Sequence, residues 1–403
     1  MSYQTGSNIL VAVGPELAAT GTAALANSGK VLRIVDSPGL KLNRANIMSA
    51  ERNDAMMRPQ ARLGFKTVDG SFNSEWSVGG MMDDLLAALL RTTWTASSTI
   101  TYDGGAALTS LEITANNTIT SVGTTSFVGA IYVGDIIYLT DMSNVLNNNI
   151  NLRVTAVAAN ALTVAGTPLT VQVADVACSL IRRKKLYAPT TPTRLAFSIE
   201  QYNEDIDLSE LFIGCRLVGA KFSFKPGAHA MVTWTFLGMD RTLLLVGTSP
   251  WFTAPTVTTG ISVVADDSQI IQAATVVSTY TGMDLDFTIA AKGEPTIGSL
   301  VSPDIFDNDL SCSGTITGLR SSFAELINYD AETEFAIGMK LEEPIVAPRP
   351  TLGLYLPRVK IGGIDAPLGG DGAQIETRSL LIGPAVATTT LHASPVIFHS
   401  SGA

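Results

Sequence analysis

Histidine, cysteine and charge are all scarce in this chain. Of its three histidines in 403 residues, His229 falls in a turn and His392 and His399 lie near the C-terminus, so no His-x-x-x-His metal spacing exists. The three cysteines, Cys178, Cys215 and Cys312, are odd in number and far apart. They read as buried, reduced structural residues rather than a disulfide framework or a zinc site. No G-x-S-x-G, G-x-x-x-x-G-K-[ST] or strand-linked G-x-G-x-x-G run is present. The carboxylate pairs Asp266-Asp267 and Glu342-Glu343 are adjacent in sequence and so point apart on a strand. Asp36, Asp304 and Asp307 could serve calcium only if their loops converged, and no spaced acidic loop supports that. No catalytic, cofactor-binding or metal-binding residue is assigned, and no cofactor is expected.

Two further absences narrow the class. No stretch approaches the roughly 18 apolar residues of a membrane span. The N-terminus lacks a basic segment followed by an unbroken apolar one, because Gly14-Pro15-Glu16 interrupts its apolar run. Synthesis in the cytoplasm without membrane contact is the expectation. Charged residues make up 15%, with a net charge of −10 and a pI near 4.8. An acidic chain is poorly suited to gripping phosphates. The one basic run, Arg182-Arg183-Lys184-Lys185, lacks interleaved aromatics and reads as a solvated linker or salt-bridging face.

What is plentiful is apolar residues, 46% of the chain, together with Gly, Ser and Thr. That composition suits a mainly β protein whose solvent faces carry hydroxyls, and the length calls for two or three domains. Strands are expected at Lys30–Asp36, Gly39–Asn43 and Phe65–Trp76, then at Leu195–Gln201. Leu217–Phe224 and Met231–Leu237 form a hairpin around Lys225-Pro226-Gly227. Met82, Leu85, Leu86, Leu89 and Leu90 form a helical stripe. Residues 95–189 carry almost no charge in their first three quarters and show Asn-rich turns between short strands such as Ile136–Thr140 and Ala161–Val164. This is an inserted small β-barrel-like or sandwich-like module.

The stretch Leu300–Gly318 organises the rest. After turn signals at Pro303-Asp304 and Asp307-Asn308-Asp309 it alternates, with Leu310, Cys312, Gly314 and Ile316 on one face and Ser and Thr on the other. A short helix follows over Ser322–Asn328. The N-terminal half carries a similar loop, strand and helix in the same order. Met283, Leu285, Phe287 and Ile289 match Leu40 and Leu42, and 217–237 matches the strands at 352–361 and 374–382, the latter preceded by a turn at 369–372. One β unit is duplicated.

The segments GLKLNRANIMSAERNDAMMRPQARLGFKTVDGSFNSEWSVGGMMDDLLAALLRTTW, SPDIFDNDLSCSGTITGLRSSFAELI and LYLPRVKIGGIDAPLGGDGAQIETRSLLIG resemble phage tail tube proteins of long, non-contractile-tailed viruses, in particular the larger type with a duplicated tube domain. The likeness covers roughly 30–94 and 192–384, and the insert is the departure from it. It implies two related tail-tube β-sandwich domains, each with a short flanking helix. The expected boundaries are an N-terminal arm over 1–30, a first domain split over 31–94 and 190–247, the module over 95–189, a second domain over 248–384 and a C-terminal arm over 385–403. It also implies a non-enzymatic virion protein that polymerises into stacked rings, trimeric with pseudo-hexameric symmetry. These would form the conduit for double-stranded DNA, with the tape measure, tail terminator and distal tail proteins as partners. Glu51, Arg52, Arg58 and Arg62 of the long loop Ala45–Arg62 are expected at contacts between rings. Asp69, Glu75 and Glu376 are expected to line the lumen, and the module to sit on the tube's outside. The competing class is a β-rich adhesin or carbohydrate-binding protein.

Overall fold

The computed structural model describes residues 4–6, 8–16, 20–51, 54, 56–248, 250–344, 346–367 and 372–402. The first unit comprises β1 (Ile9–Pro15), β2 (Lys30–Val31), β3 (Val35–Ile47), β4 (Arg62–Glu75) and α1 (Met81–Leu90). An insert follows: β5 (Ser98–Tyr102), β6 (Ser110–Ala115), β7 (Thr118–Val122), β8 (Ile136–Thr140), β9 (Leu152–Val157), β10 (Ala161–Val164), β11 (Gln172–Asp175) and β12 (Cys178–Arg182). The chain returns through β13 (Lys184–Tyr187) to β14 (Phe197–Asn203), β15 (Leu208–Phe224), β16 (Met231–Gly238) and β17 (Asp240–Leu244). The second unit is β18 (Ser268–Gln272), β19 (Thr275–Val277), β20 (Tyr280–Gly293), β21 (Ile305–Leu319), α2 (Ala324–Asp330), β22 (Phe335–Glu342), β23 (Thr351–Asp365), β24 (Ile375–Ile382) and β25 (Ile397–Ser400).

The duplication is explicit in the pairing. In the first unit β2–β1–β14–β15–β17 form one sheet and β3–β4–β16–β15 the other. In the second, β19–β18–β22–β23–β25 and β20–β21–β24–β23 repeat both. β15 and β23 are long enough to serve both layers, pairing with the outer sheet through their first halves and the inner sheet through their second. The inner sheets are then joined edge to edge, because β15 pairs antiparallel with β20. The result is one continuous sheet in the order β3–β4–β16–β15–β20–β21–β24–β23.

A single apolar core runs between the layers of both units. Its centre is aromatic. Phe222 meets Phe287 edge-on at 5.6 Å and Phe398 at 5.7 Å, and Trp76 meets Phe222 at 5.2 Å. Each such pair adds about 0.5–1.5 kcal/mol beyond area burial. Helix α1 was expected to be amphipathic. It is buried nearly all round, Met81, Ala87 and Ala88 included, which its almost wholly apolar sequence permits. Arg91 closes it in the left-handed conformation. Helix α2 is capped by Phe323 rather than by a hydroxyl residue, with the Ser322 hydroxyl one position earlier accepting from the Ala324 amide at 3.2 Å, and it buries no residue.

Both expected arms are strands of the fold instead. β1 lies between β2 and β14 with Val11, Ala12 and Val13 buried, and β25 is inserted between β13 and β23 with all of its residues buried. Ala45–Ile47 extends β3 rather than beginning a loop. Asp307-Asn308-Asp309 is an irregularity within β21 rather than a turn. The expected turn at 369–372 lies outside the described residues except for Gly372, and Arg52 is outside them too.

The insert forms its own sheet, in the order β11–β6–β7–β10–β9–β8–β12–β5, around its own core. Among the described residues no pairing joins β11 to β5, so the sheet is open rather than a closed barrel. β13, expected within the module, pairs with β25 and belongs to the parent fold.

Candidate assembly surface

Strand alternation gives the continuous inner sheet two unlike faces. Val68, Phe72, Trp234, Phe222, Phe287 and Leu285 point into the core. Asp69, Ser71, Asn73 and Glu75 on β4, Thr233 and Thr235 on β16, Lys221 on β15 and Asp284 and Asp286 on β20 point the other way. Asp69 and Glu75 therefore share one polar face. Asp69 accepts from the Asn43 amide and lies 3.8 Å from Lys41.

Glu376 is a correction. It shares the core face of β24 with Arg378 and Leu380, and is only 1% exposed. Its carboxylate accepts from Arg378 at 2.5 Å and lies 3.7 Å from Arg320, while Arg378 also pairs with Glu325 at 3.3 Å. A charge-neutralised cluster lets carboxylates and guanidinium groups occupy the core side of a strand, and a residue so enclosed cannot face a lumen.

The β3–β4 hairpin ends in a long exposed tip. Glu51, Arg58 and Arg62 are exposed on or beside it. The tip is not chiefly polar: Ile47, Met48, Met56, Met57 and Leu63 are all exposed, Met56 at 84%. A cluster of this kind at a hairpin end marks an interaction surface more strongly than its charges do.

Two of the three aspartates considered for calcium, Asp304 and Asp307, are already paired with arginines. Asp307 meets Arg194 at 2.8 Å, Arg216 at 3.0 Å and Arg91 at 3.2 Å, and Asp304 meets Arg216 at 2.8 Å. These arginines belong to the first unit and the aspartates to the second, so the cluster clasps the units together. The Asp36 carbonyl accepts from Asn73. Among the described residues no group of three or more His, Cys, Asp or Glu is arranged to hold a metal.

The basic run is likewise not a surface. Arg182, Arg183 and Lys185 are buried, and Lys184 pairs with Asp83 at 2.7 Å. Arg183 and Lys185 form part of the seam by which the insert docks on the parent fold. Lys185 bonds Asp135 at 3.0 Å, and His399 Nε2 faces the same carboxylate at 3.4 Å, all three side chains being almost wholly buried. Arg153 of the insert donates to the carbonyls of Gly134 and Met339, and Lys340 donates to the carbonyl of Asn151. A Cβ on Gly353 would stand 2.4 Å from Ile136, so the bare strand is what admits the insert. His392 is stacked between Tyr132 and Tyr187 with ring centroids 3.9 Å away on each side.

Burial, with the nearby Lys185 charge, pushes His392 down to about 4. Burial likewise lowers His399 to about 4 against the opposing pull of Asp135. Lys185 falls to about 8, again chiefly through burial. Burial works to raise Asp135, but the His399 hydrogen bond and the Lys185 charge outweigh it and hold it below the usual carboxylate value. Lys185, Asp135 and His399 form a structural lock. Excising 95–189 would remove β13, the neighbour of β25, and take the Asp135 partner from His399 and the Asn151 carbonyl from Lys340, which would keep Glu342, so the insert is tied into the parent fold.

No curated protein matches the chain. No helix among the described residues is long and apolar enough to cross a membrane. A family model described as phage tail tube protein matches residues 6–377. That span takes in the first unit, the insert and the second unit as far as the start of β24, and the chain belongs to the phage tail tube protein family.

Proposed function

We propose that this virion tail component polymerises into stacked rings that form the tail tube, the conduit for DNA ejection, with three chains supplying six related units per ring. One observation carries the reading: two copies of the same inner sheet are already joined edge to edge within the chain, and the outermost edges remain open. Among the described residues β3 pairs only with β4, and the second half of β23 pairs only with β24 apart from the Val359 bridge. Open edges of this length are a liability unless another chain covers them, and a head-to-tail contact that closes gives a ring. The role is structural rather than enzymatic. Tape measure, terminator and distal tail proteins are the further partners this role requires. Negative-stain microscopy of the purified chain should show rings or tubes of uniform diameter, and monomers at all concentrations would overturn the reading.

In such a tube the polar face of the inner sheet, with Asp69 and Glu75, lines the lumen. It mixes a few lysines with more numerous carboxylates and hydroxyls, which suits passage of DNA without adhesion. Screening confines the repulsion to about 8 Å at physiological salt. Salt-reversible retention of DNA by purified tubes would show that this face has the opposite character. The insert, docked on the outer sheet, then faces outward.

The β3–β4 tip reaches the next ring, its methionines packing there beside Glu51, Arg52, Arg58 and Arg62. Deleting Met48–Met57 should leave a folded protomer, since none of the tip's described residues belongs to the core, yet abolish tube growth. Normal tubes from that variant would refute the role.

A further inference from the structure

The internal repeat carries more than the existence of an open edge: it contains a template for how two edges meet. The bulge in β15 between Leu217 and Gly219, opposite Phe236 and Thr235, has its counterpart in the bulge in β23 between Ile361 and Gly363, opposite Leu380 and Ser379. Phe236 faces Gly70, which faces Leu40. Leu380 faces Gly314, which faces Leu285. The two rows correspond residue for residue in their pairing. The match extends to the tight spots, since a Cβ on Gly70 would strike the Gly39 carbonyl and one on Gly314 the carbonyl of Asp284, its equivalent. Leu217 is thus equivalent to Ile361, and Leu40 to Leu285.

At the join inside the chain, Gly219 faces Thr288, Ala220 faces Phe287 and Lys221 faces Asp286. We infer that β23 of one copy pairs antiparallel with β3 of the next in this same register, so that Gly363 faces Asn43, Ile364 faces Leu42 and Asp365 faces Lys41. The inference rests on the proposed ring. Its support is in the residues at the open edges. The charge pair survives with its sign exchanged: lysine then aspartate inside the chain, aspartate then lysine between chains. Lys41 and Asp365 are both exposed now. Ile364 and Leu42 are half-buried, whereas their counterparts Ala220 and Phe287 are 2% and 0% exposed, so the contact would complete the apolar layer beneath the sheet. The exchange also gives specificity. Two copies meeting through β3 alone would set Lys41 near Lys41, and two through β23 would set Asp365 near Asp365, each a like-charge contact.

The test uses the full chain. Lys41→Cys with Asp365→Cys should crosslink between chains under mild oxidation, giving dimers and trimers on a non-reducing gel. Directly opposed Cβ atoms stand about 4.5–5.5 Å apart and a disulfide needs about 3.5–4.5 Å. Lys221→Cys with Asp286→Cys, in the same register within one chain, calibrates the yield. Lys41→Cys with Gly363→Cys, out of register, should crosslink at least about tenfold less. Independently, Asp365→Lys should raise the concentration needed for assembly roughly tenfold, a like pair replacing an opposite one at every contact. Adding Lys41→Asp should restore it, although Asp69 beside Lys41 makes the recovery partial. Tubes that form while the out-of-register pair crosslinks better, or a double reversal no better than the single one, overturn the register. Absence of rings from the unaltered chain would instead overturn the function it rests on.

Discussion

Asp307→Ala should destabilise the chain by about 3 kcal/mol or more. Its side chain is 7% exposed and is shared by Arg91, Arg194 and Arg216. Arg216 is itself 8% exposed and spans to Asp304 and the Thr20 hydroxyl. Removing one partner of a buried pair typically costs about 3–5 kcal/mol, because the charge left behind is neither solvated nor compensated. Here Arg216 would be left with Asp304 as its one carboxylate, and Arg91 with the Asn308 carbonyl. The loss falls at the seam between the units, since the arginines come from the end of α1, the approach to β14 and β15, and the aspartates from the edge of β21. Urea unfolding of the unassembled protomer measures it. Asp307→Asn should lie between the two, keeping hydrogen-bond acceptance without the charge. A loss below about 1 kcal/mol would mean that the cluster is solvated.

Acidification should loosen the seam between the insert and the parent fold. His399 titrates near 4 in the folded chain against about 6.5 in an unfolded one. Between those values the unfolded chain binds the extra proton, so stability falls as pH drops through that window and is unaffected by this group above it. The full difference corresponds to about 3 kcal/mol. His392 contributes with the same sign, and Asp135, held below its ordinary value, adds a further loss as pH falls below about 4. Lys185 acts in a different window. Between about 8 and 10.5 the folded chain has shed a proton that the unfolded chain keeps, so this group favours the fold as pH rises. Unfolding free energies at pH 7 and 4.5, for the native chain and for His399→Asn, decide the matter. The native chain should lose markedly more on acidification, and parallel pH profiles would remove His399 as the cause.

The sequence by itself determined the elements whose stabilising partners are close in the chain. The stripe from Met82 to Leu90 can only be a helix, the alternation on either side of Lys225-Pro226-Gly227 can only be a hairpin, and the like order of strands in the two halves announces a duplication. Each rests on periodicity or turn chemistry, which local residues carry in full. Tertiary structure decided whatever depends on a distant partner. β1 and β25 read as arms because four to seven small or apolar residues say nothing of the distant strands, β14 and β13, that pair with them. The buried basic run became structural only because Asp83, Asp135 and Asn151 meet it. Glu376 turned inward because Arg378, two residues on, and Arg320, fifty-six residues back, neutralise it there. A charged residue's exposure is set by whether a counter-charge waits inside, and that is a property of the folded chain rather than of its order.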